Sequence, residues 1–224
     1  MVVVLLAGLL AGVSLGWAGE VVDRIVATVN GQIILQSDWD DALRYRALED
    51  GLAPGSINVE GRKAALDHLI DQELLRQQMP ASDFRSATDE QIAMRVAEIR
   101  KQYPEAATDD GWKERLSQYG FSEADLKPRV ALEIDLMHLV DAHLRPTVSI
   151  DSKSIESYYN QELLPQLRES GAQEVPLAQV TPQIKELLTQ QRVNELLVAW
   201  LQSLRSGSEI RLDAESQRAG GDLR

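Results

Sequence analysis

The sequence contains no cysteine in its 224 residues. Thiol catalysis, disulfide bonds and cysteine-ligated zinc are therefore excluded. Basic residues are scarce: 23 Lys and Arg stand against 35 Asp and Glu, giving a net charge of −12 and a pI near 4.7. Nucleic-acid binding needs a basic face that displaces counterions, so that class is set aside. Aromatic residues make up 5% of the chain, which offers no platform for stacking bases or sugars. The three histidines are His68, His138 and His143. The last two are five apart and do not share a helix face, so no metal site is expected. No phosphate-binding loop, G-x-S-x-G elbow, zinc motif or hydrolase triad occurs. No catalytic residue, cofactor or nucleotide is expected as a result. Carboxylates are plentiful, but helix starts and exposed helix faces account for them.

What is present suits a folded protein. Hydrophobic residues make up 44% of the chain and charged residues 26%. The opening run, "MVVVLLAGLLAGVSLGWAG", carries no charge. Gly16 and Ala18 supply small residues three and one positions before a cleavage point after Ala18. Residues 1–18 thus read as a secretory signal peptide. An uncleaved anchor tethering the chain to a membrane is the rival reading, since the run approaches spanning length. Either reading carries the rest of the chain out of the cytoplasm.

"VVDRIVATVNGQIILQSDWDD" follows. Residues 25–29 and 32–35 flank Asn30-Gly31, a pair that favours the type I′ turn of a two-residue hairpin. Ser37 is the expected N-cap of the next helix, which Gly51 closes. Residues 59–79 then read as a helix stopped by Pro80. Thr88 and Gln91 form a capping box for a third, with Ile92, Val96, Ile99 and Tyr103 as its stripe and Pro104 as its end. Trp112, Leu116 and Tyr119 make a short stripe closed by Gly120. Such a stripe either enters the core or stays partly exposed. Ser122 caps a long helix, with Phe121 and Leu126 placed as a hydrophobic staple. Apolar residues surround much of that helix's axis, so it is expected at the centre. Asp151 caps a helix bearing Ile155, Tyr158, Tyr159 and Leu163. Thr181-Pro182 opens the last helix, which carries Trp200 as an expected core residue and ends at Gly207. "SEIRL" alternates as a strand. Residues 213–224 are polar and Gly-bearing, and read as a disordered tail.

A hairpin alone is marginal in water. The hairpin and "SEIRL" are the two strand signals in the chain. The expected fold is therefore mostly α, with a small antiparallel sheet that unites residues 23–36 with 209–212 and every helix inserted between.

This arrangement resembles the SurA-type periplasmic chaperones, relatives of the PrsA- and PpiC-type proteins. "VVDRIVATVNGQIILQSDWD" is similar to the start of their mature N-terminal domain. "AALDHLIDQELLRQQ" is similar to its second helix, and "VTPQIKELLTQQRVNELLVAWLQSLRSGSEIRL" to the helix and strand that complete it. The resemblance implies one chaperone domain over residues 20–212. In that family a parvulin prolyl-isomerase domain usually lies between segments like "SIESYYNQ" and "PLAQVTPQIKE". Here "ELLPQLRESGAQEV" stands in that place, too short for such a domain, so isomerase activity is not expected. The implied function is an ATP-independent periplasmic holdase that binds unfolded exported or outer-membrane proteins through an apolar groove. A dedicated envelope assembly or scaffolding factor is the alternative, and behind it a protein related to the peptidyl-prolyl isomerases. Trp112, Leu116 and Tyr119 are the candidate client contacts.

Overall fold

The computed structural model describes residues 23–213. The signal-peptide reading, and the tail reading beyond Asp213, fall outside the described residues. Asp213 itself still donates its backbone N–H to the Val26 carbonyl at 3.1 Å, so the chain leaves the sheet one residue later than expected.

The first and last segments of the described residues meet in one sheet. Strands β1 (Ile25–Val29) and β2 (Gln32–Leu35) form the hairpin, and β3 (Ile210–Leu212) pairs antiparallel with the other edge of β1. The strand order is β2-β1-β3. Asn30 and Gly31 take φ of 52° and 84°. Both lie in the left-handed region that a type I′ turn requires. A bulge between Ile25 and Ala27 lets the successive residues Val26 and Ala27 both face the core.

Helix α1 (Gln36–Glu49) starts directly at the end of β2. Ser37 is not its cap. With no loop between strand and helix, the cap position falls on Leu35, whose N–H donates to the Asp38 carboxylate at 2.8 Å. Ser37 instead donates its hydroxyl and its N–H to the Asp23 carboxylate. Gly51, at φ 65°, turns the chain out of α1, and the Leu52 N–H reaches back to the Ala47 carbonyl at 2.9 Å. Helix α2 (Val59–Arg76) is capped by Asn58 and ends before the 3₁₀ turn that holds Pro80. Helix α3 (Asp89–Arg100) carries the expected Thr88–Gln91 box. It stops short of Pro104, and Tyr103 lies beyond it in a turn where its hydroxyl reaches a backbone carbonyl.

Helix α4 (Asp109–Gln118) leads through Gly120, at φ 75°, into α5 (Glu123–Leu144). The Ser122–Asp125 box opens α5 as expected, and the helix runs through Pro128. α5 is central. Leu126, Val130 and Ile134 join a cluster with α1, α3 and α4. Leu136, Leu139, Val140 and Leu144 join a second one with Leu75 of α2 and the last helix. A third cluster lies between the sheet, α1 and α2, around Val26, Val29, Trp39 and Ile70.

After Asp151, α6 (Ser152–Tyr158) continues through a π turn at Tyr159–Leu163 into α7 (Leu164–Glu169). The segment that stands where a parvulin domain would be thus folds as the end of this helical stretch and a short connector. Helix α8 (Leu177–Ser206) starts four residues before Thr181, with Pro176 at its N-cap. Pro182 sits in its second turn. The Thr181 hydroxyl donates to the Leu177 carbonyl at 2.8 Å, one turn back in the helix.

Candidate functional site

Trp112, Leu116 and Tyr119 are 1%, 0% and 1% exposed. They fill the cluster under α1, α3 and α5 rather than a surface. The Tyr119 hydroxyl donates to the Leu52 carbonyl at 2.7 Å. The Tyr103 hydroxyl donates to the Leu48 carbonyl, also at 2.7 Å, and the two phenol oxygens lie 3.1 Å apart. Burial, and then the contact with Tyr119, pushes the Tyr103 hydroxyl up. Buried polar groups that are this well satisfied fix one packing. The client contact expected of these three residues therefore finds no surface here, because α4 turns its whole apolar stripe inward.

Two polar clusters also serve the body. Arg95 of α3 donates to Glu49 of α1 at 2.5 Å and to Glu133 of α5 at 3.0 Å, and the Tyr45 hydroxyl donates to Glu133 at 2.8 Å. Burial pushes the Glu49 carboxyl up, and nearby Glu133 adds to this while Arg95 and Arg46 oppose it. The set joins three helices and holds no nucleophile. A cleft of about 560 Å³ lies between α1 and the start of α5, with Phe121, Pro128, Leu132 and Arg129 among its lining residues. Arg129 and Arg44 both pair with Asp41, and their guanidiniums stand 5.2 and 5.9 Å from the Phe121 ring centre. The Ser122 hydroxyl and N–H hold the Asp125 carboxyl low at the rim. These charges already have partners.

Among the described residues no group of three or more potential ligands gathers to hold a metal, and no helix is long and apolar enough to cross a membrane. The histidines are dispersed. His138 contacts the Arg85 carbonyl at 2.6 Å, and His143 stacks on Trp200 with ring centres 4.2 Å apart.

Exposed large apolar side chains are scattered over the sheet, α2, α3 and α5 (Ile33, Val59, Met94, Met137), while α6 and α8 add a run of half-buried ones. Of the 30 residues of α8, Ile184 and Val193 are the buried ones. In the first half of α8, Leu177, Val180 and Leu188 are half-buried, and Leu187 is 41% exposed. Opposite them, α6 buries Ile155 alone, while Tyr158, Tyr159 and Leu163 stay half-buried. The Tyr159 hydroxyl donates to the Val175 carbonyl at 2.8 Å and ties the π turn to the connector. In the second half of α8, Leu196, Leu197 and Leu201 lie half-buried against α5. Trp200, expected in the core, packs against the α5 cluster but stays half-buried, stacked on exposed His143 of α5. Val198 is 57% exposed. Ion pairs brace this arm: Arg145 reaches Glu186 at 2.9 Å, and Arg205 reaches Asp71 at 2.6 Å.

Residues 1–140 match the model of the SurA-like N-terminal domain. The chain is similar to the protein named Chaperone SurA in Xanthomonas oryzae pv. oryzae, with 27% identity over 145 residues. That alignment takes in 62% of this chain and 30% of the relative. It is also similar to the Salmonella typhimurium protein of the same name, with 23% identity over 180 residues, 80% of this chain and 41% of the relative. The chain thus spans about a third of the length of these curated relatives.

Proposed function

The chain belongs to the SurA-like N-terminal domain family, and from that premise we propose that it is an ATP-independent periplasmic holdase for unfolded exported or outer-membrane proteins. Capture is assigned to the apolar side chains of α6 and α8. The observation that carries the reading is the 30-residue helix α8 with two buried side chains. An apolar surface left partly open is what a protein that holds unfolded chains needs. The net charge of −12 keeps such a protein soluble. Binding is about micromolar or weaker for each captured segment, since an unfolded client loses chain entropy on capture. Moderate salt leaves it intact, because the contact is apolar.

Prolyl isomerase activity is absent in this reading, because residues 162–175 form the end of the π turn, α7 and a connector. Protease-coupled cleavage of a proline peptide tests that point. If residues 1–18 stay attached, the holdase is tethered to the membrane.

The functional test is light scattering. A denatured outer-membrane protein is diluted into buffer with a stoichiometric amount of the protein and no nucleotide. Aggregation is suppressed, and it stays suppressed at physiological salt. Unchanged scattering for several unrelated clients overturns the general-holdase reading in favour of a factor dedicated to one envelope assembly.

A further inference from the structure

We propose that Asn30 is a deamidation site whose conversion to aspartate and isoaspartate is gated by opening of the β1–β3 pairing. Asparagine is a thermolabile residue. Of the four asparagines in the sequence, Asn30 alone precedes glycine. Gly31 has no side chain to shield its nitrogen, and no atom beyond its two chain neighbours lies within 4 Å of where a Cβ would stand. Both residues are exposed, so water reaches them.

The reaction needs no partner but water. The backbone nitrogen of Gly31 attacks Cγ of Asn30 and loses its proton. The Cγ–Nδ2 bond breaks, and the amide nitrogen leaves as ammonia. The resulting five-membered imide then adds water. Cleavage of the Cγ–N bond gives aspartate, and cleavage of the backbone C–N bond gives isoaspartate. The sum is asparagine plus water to aspartate or isoaspartate plus ammonia.

The fold ties the side chain down with hydrogen bonds. Nδ2 of Asn30 donates to Gln77 Oε1 at 2.8 Å and to the Ser208 hydroxyl at 3.0 Å. Oδ1 accepts the Glu209 N–H at 2.8 Å, which fixes which end of the amide is oxygen. The Asn30 N–H donates to the Glu209 carbonyl at 2.8 Å. Three of these four bonds run to residues just before β3. Attack at Cγ pulls the amide out of its plane and must release the three side-chain bonds, to Gln77, Ser208 and the Glu209 N–H, so the residue reacts from a locally opened state. The products lose the Nδ2 donors, and isoaspartate lengthens the turn backbone. The reaction thus records, irreversibly, how often β1 and β3 come apart.

The experiment follows the mass and peptide map of the purified protein during incubation at mildly alkaline pH. Asn58, Asn160 and Asn194 in the same digest serve as references, and a urea-unfolded sample gives the ungated rate. Deamidation is expected at Asn30 and slower than in urea. Ser208→Ala is expected to raise the rate roughly fivefold, the effect of one net hydrogen bond on the open population. Gln77→Ala gives a second route to the same opening from the α2 side, and circular dichroism establishes that each variant is folded. Equal rates in the folded and urea-unfolded chains overturn the gating, as do folded Ser208→Ala and Gln77→Ala variants that deamidate no faster than the parent.

Discussion

The body under α4 and the arm formed by α6, α7 and α8 use similar residues for opposite ends. In the body, Trp112, Leu116 and Tyr119 are enclosed by three helices, and both phenol hydroxyls find carbonyls. In the arm, Tyr158, Tyr159 and Leu188 are half-buried and Leu187 is exposed. The apolar spacing is helical in both. The difference lies in how many elements lie over the stripe. Apolar periodicity therefore tells which face of a helix seeks cover, while the number of covering elements decides whether the face becomes core or surface.

The largest effect expected from breaking this contrast comes from the body. Trp112→Ala removes a side chain that is 1% exposed, and should cost about 3–5 kcal/mol, as large-to-small changes in cores do. Urea unfolding measures it. A loss below about 1 kcal/mol would mean that the cluster does not anchor the body.

Removing the chain after Gly207 comes next. It deletes β3 with half-buried Ile210 and Leu212, and strips Asn30 of its Ser208 and Glu209 partners. A loss of roughly 2–4 kcal/mol is expected from a few hydrogen bonds and two partly buried side chains. An unchanged melting temperature would show that the hairpin does not need β3.

Glu49 offers a smaller and directional effect. Its folded pKa is raised, chiefly by burial and by Glu133, so the folded state takes up a proton more readily than the unfolded chain. Its contribution to stability therefore improves as pH falls from the raised value toward the ordinary glutamate value of 4.5, and worsens as pH rises through that window. Glu49→Gln should remove that slope. Arg95 keeps Glu133 as a partner, so the change at neutral pH should stay within about 1 kcal/mol. Parallel pH–stability curves for the two proteins would contradict the assignment.

The arm should respond least in stability. Leu187→Ser and Val198→Ser lie at exposed positions and should change stability by less than about 0.5 kcal/mol. Together they should still weaken suppression of client aggregation. A pair of substitutions that destabilises the fold and leaves client binding intact would reverse the roles given to arm and body.

Much of the fold was legible from residues. Asn30-Gly31 marked the hairpin, and the lack of any other partner for it pointed to residues 209–212. The Thr88 and Ser122 boxes marked two helix starts because a cap is a local hydrogen-bonding unit. The errors were made where tertiary structure overrode a local rule. Pro104 and Pro182 were read as boundaries, yet α3 stops earlier and α8 starts earlier. A proline near a helix start removes one hydrogen bond, which a long helix tolerates. Ser37 lost its capping role because no loop separates β2 from α1. Trp112, Leu116 and Tyr119 were legible as a stripe that enters the core or stays partly exposed, and the choice between these rests on cover from residues far away in the chain. Trp200, read as core, packs against the α5 cluster but is half-buried.

Site-specific photo-crosslinking tests the central claim most directly. A photoreactive residue is placed at position 187 or 198 on α8, and at exposed Met94 on α3 as a reference in the body. Each protein is mixed with a denatured outer-membrane protein diluted from urea and irradiated. The account predicts adducts with the client at 187 and 198 and few at 94. Equal labelling at all three positions, or labelling confined to 94, would contradict it.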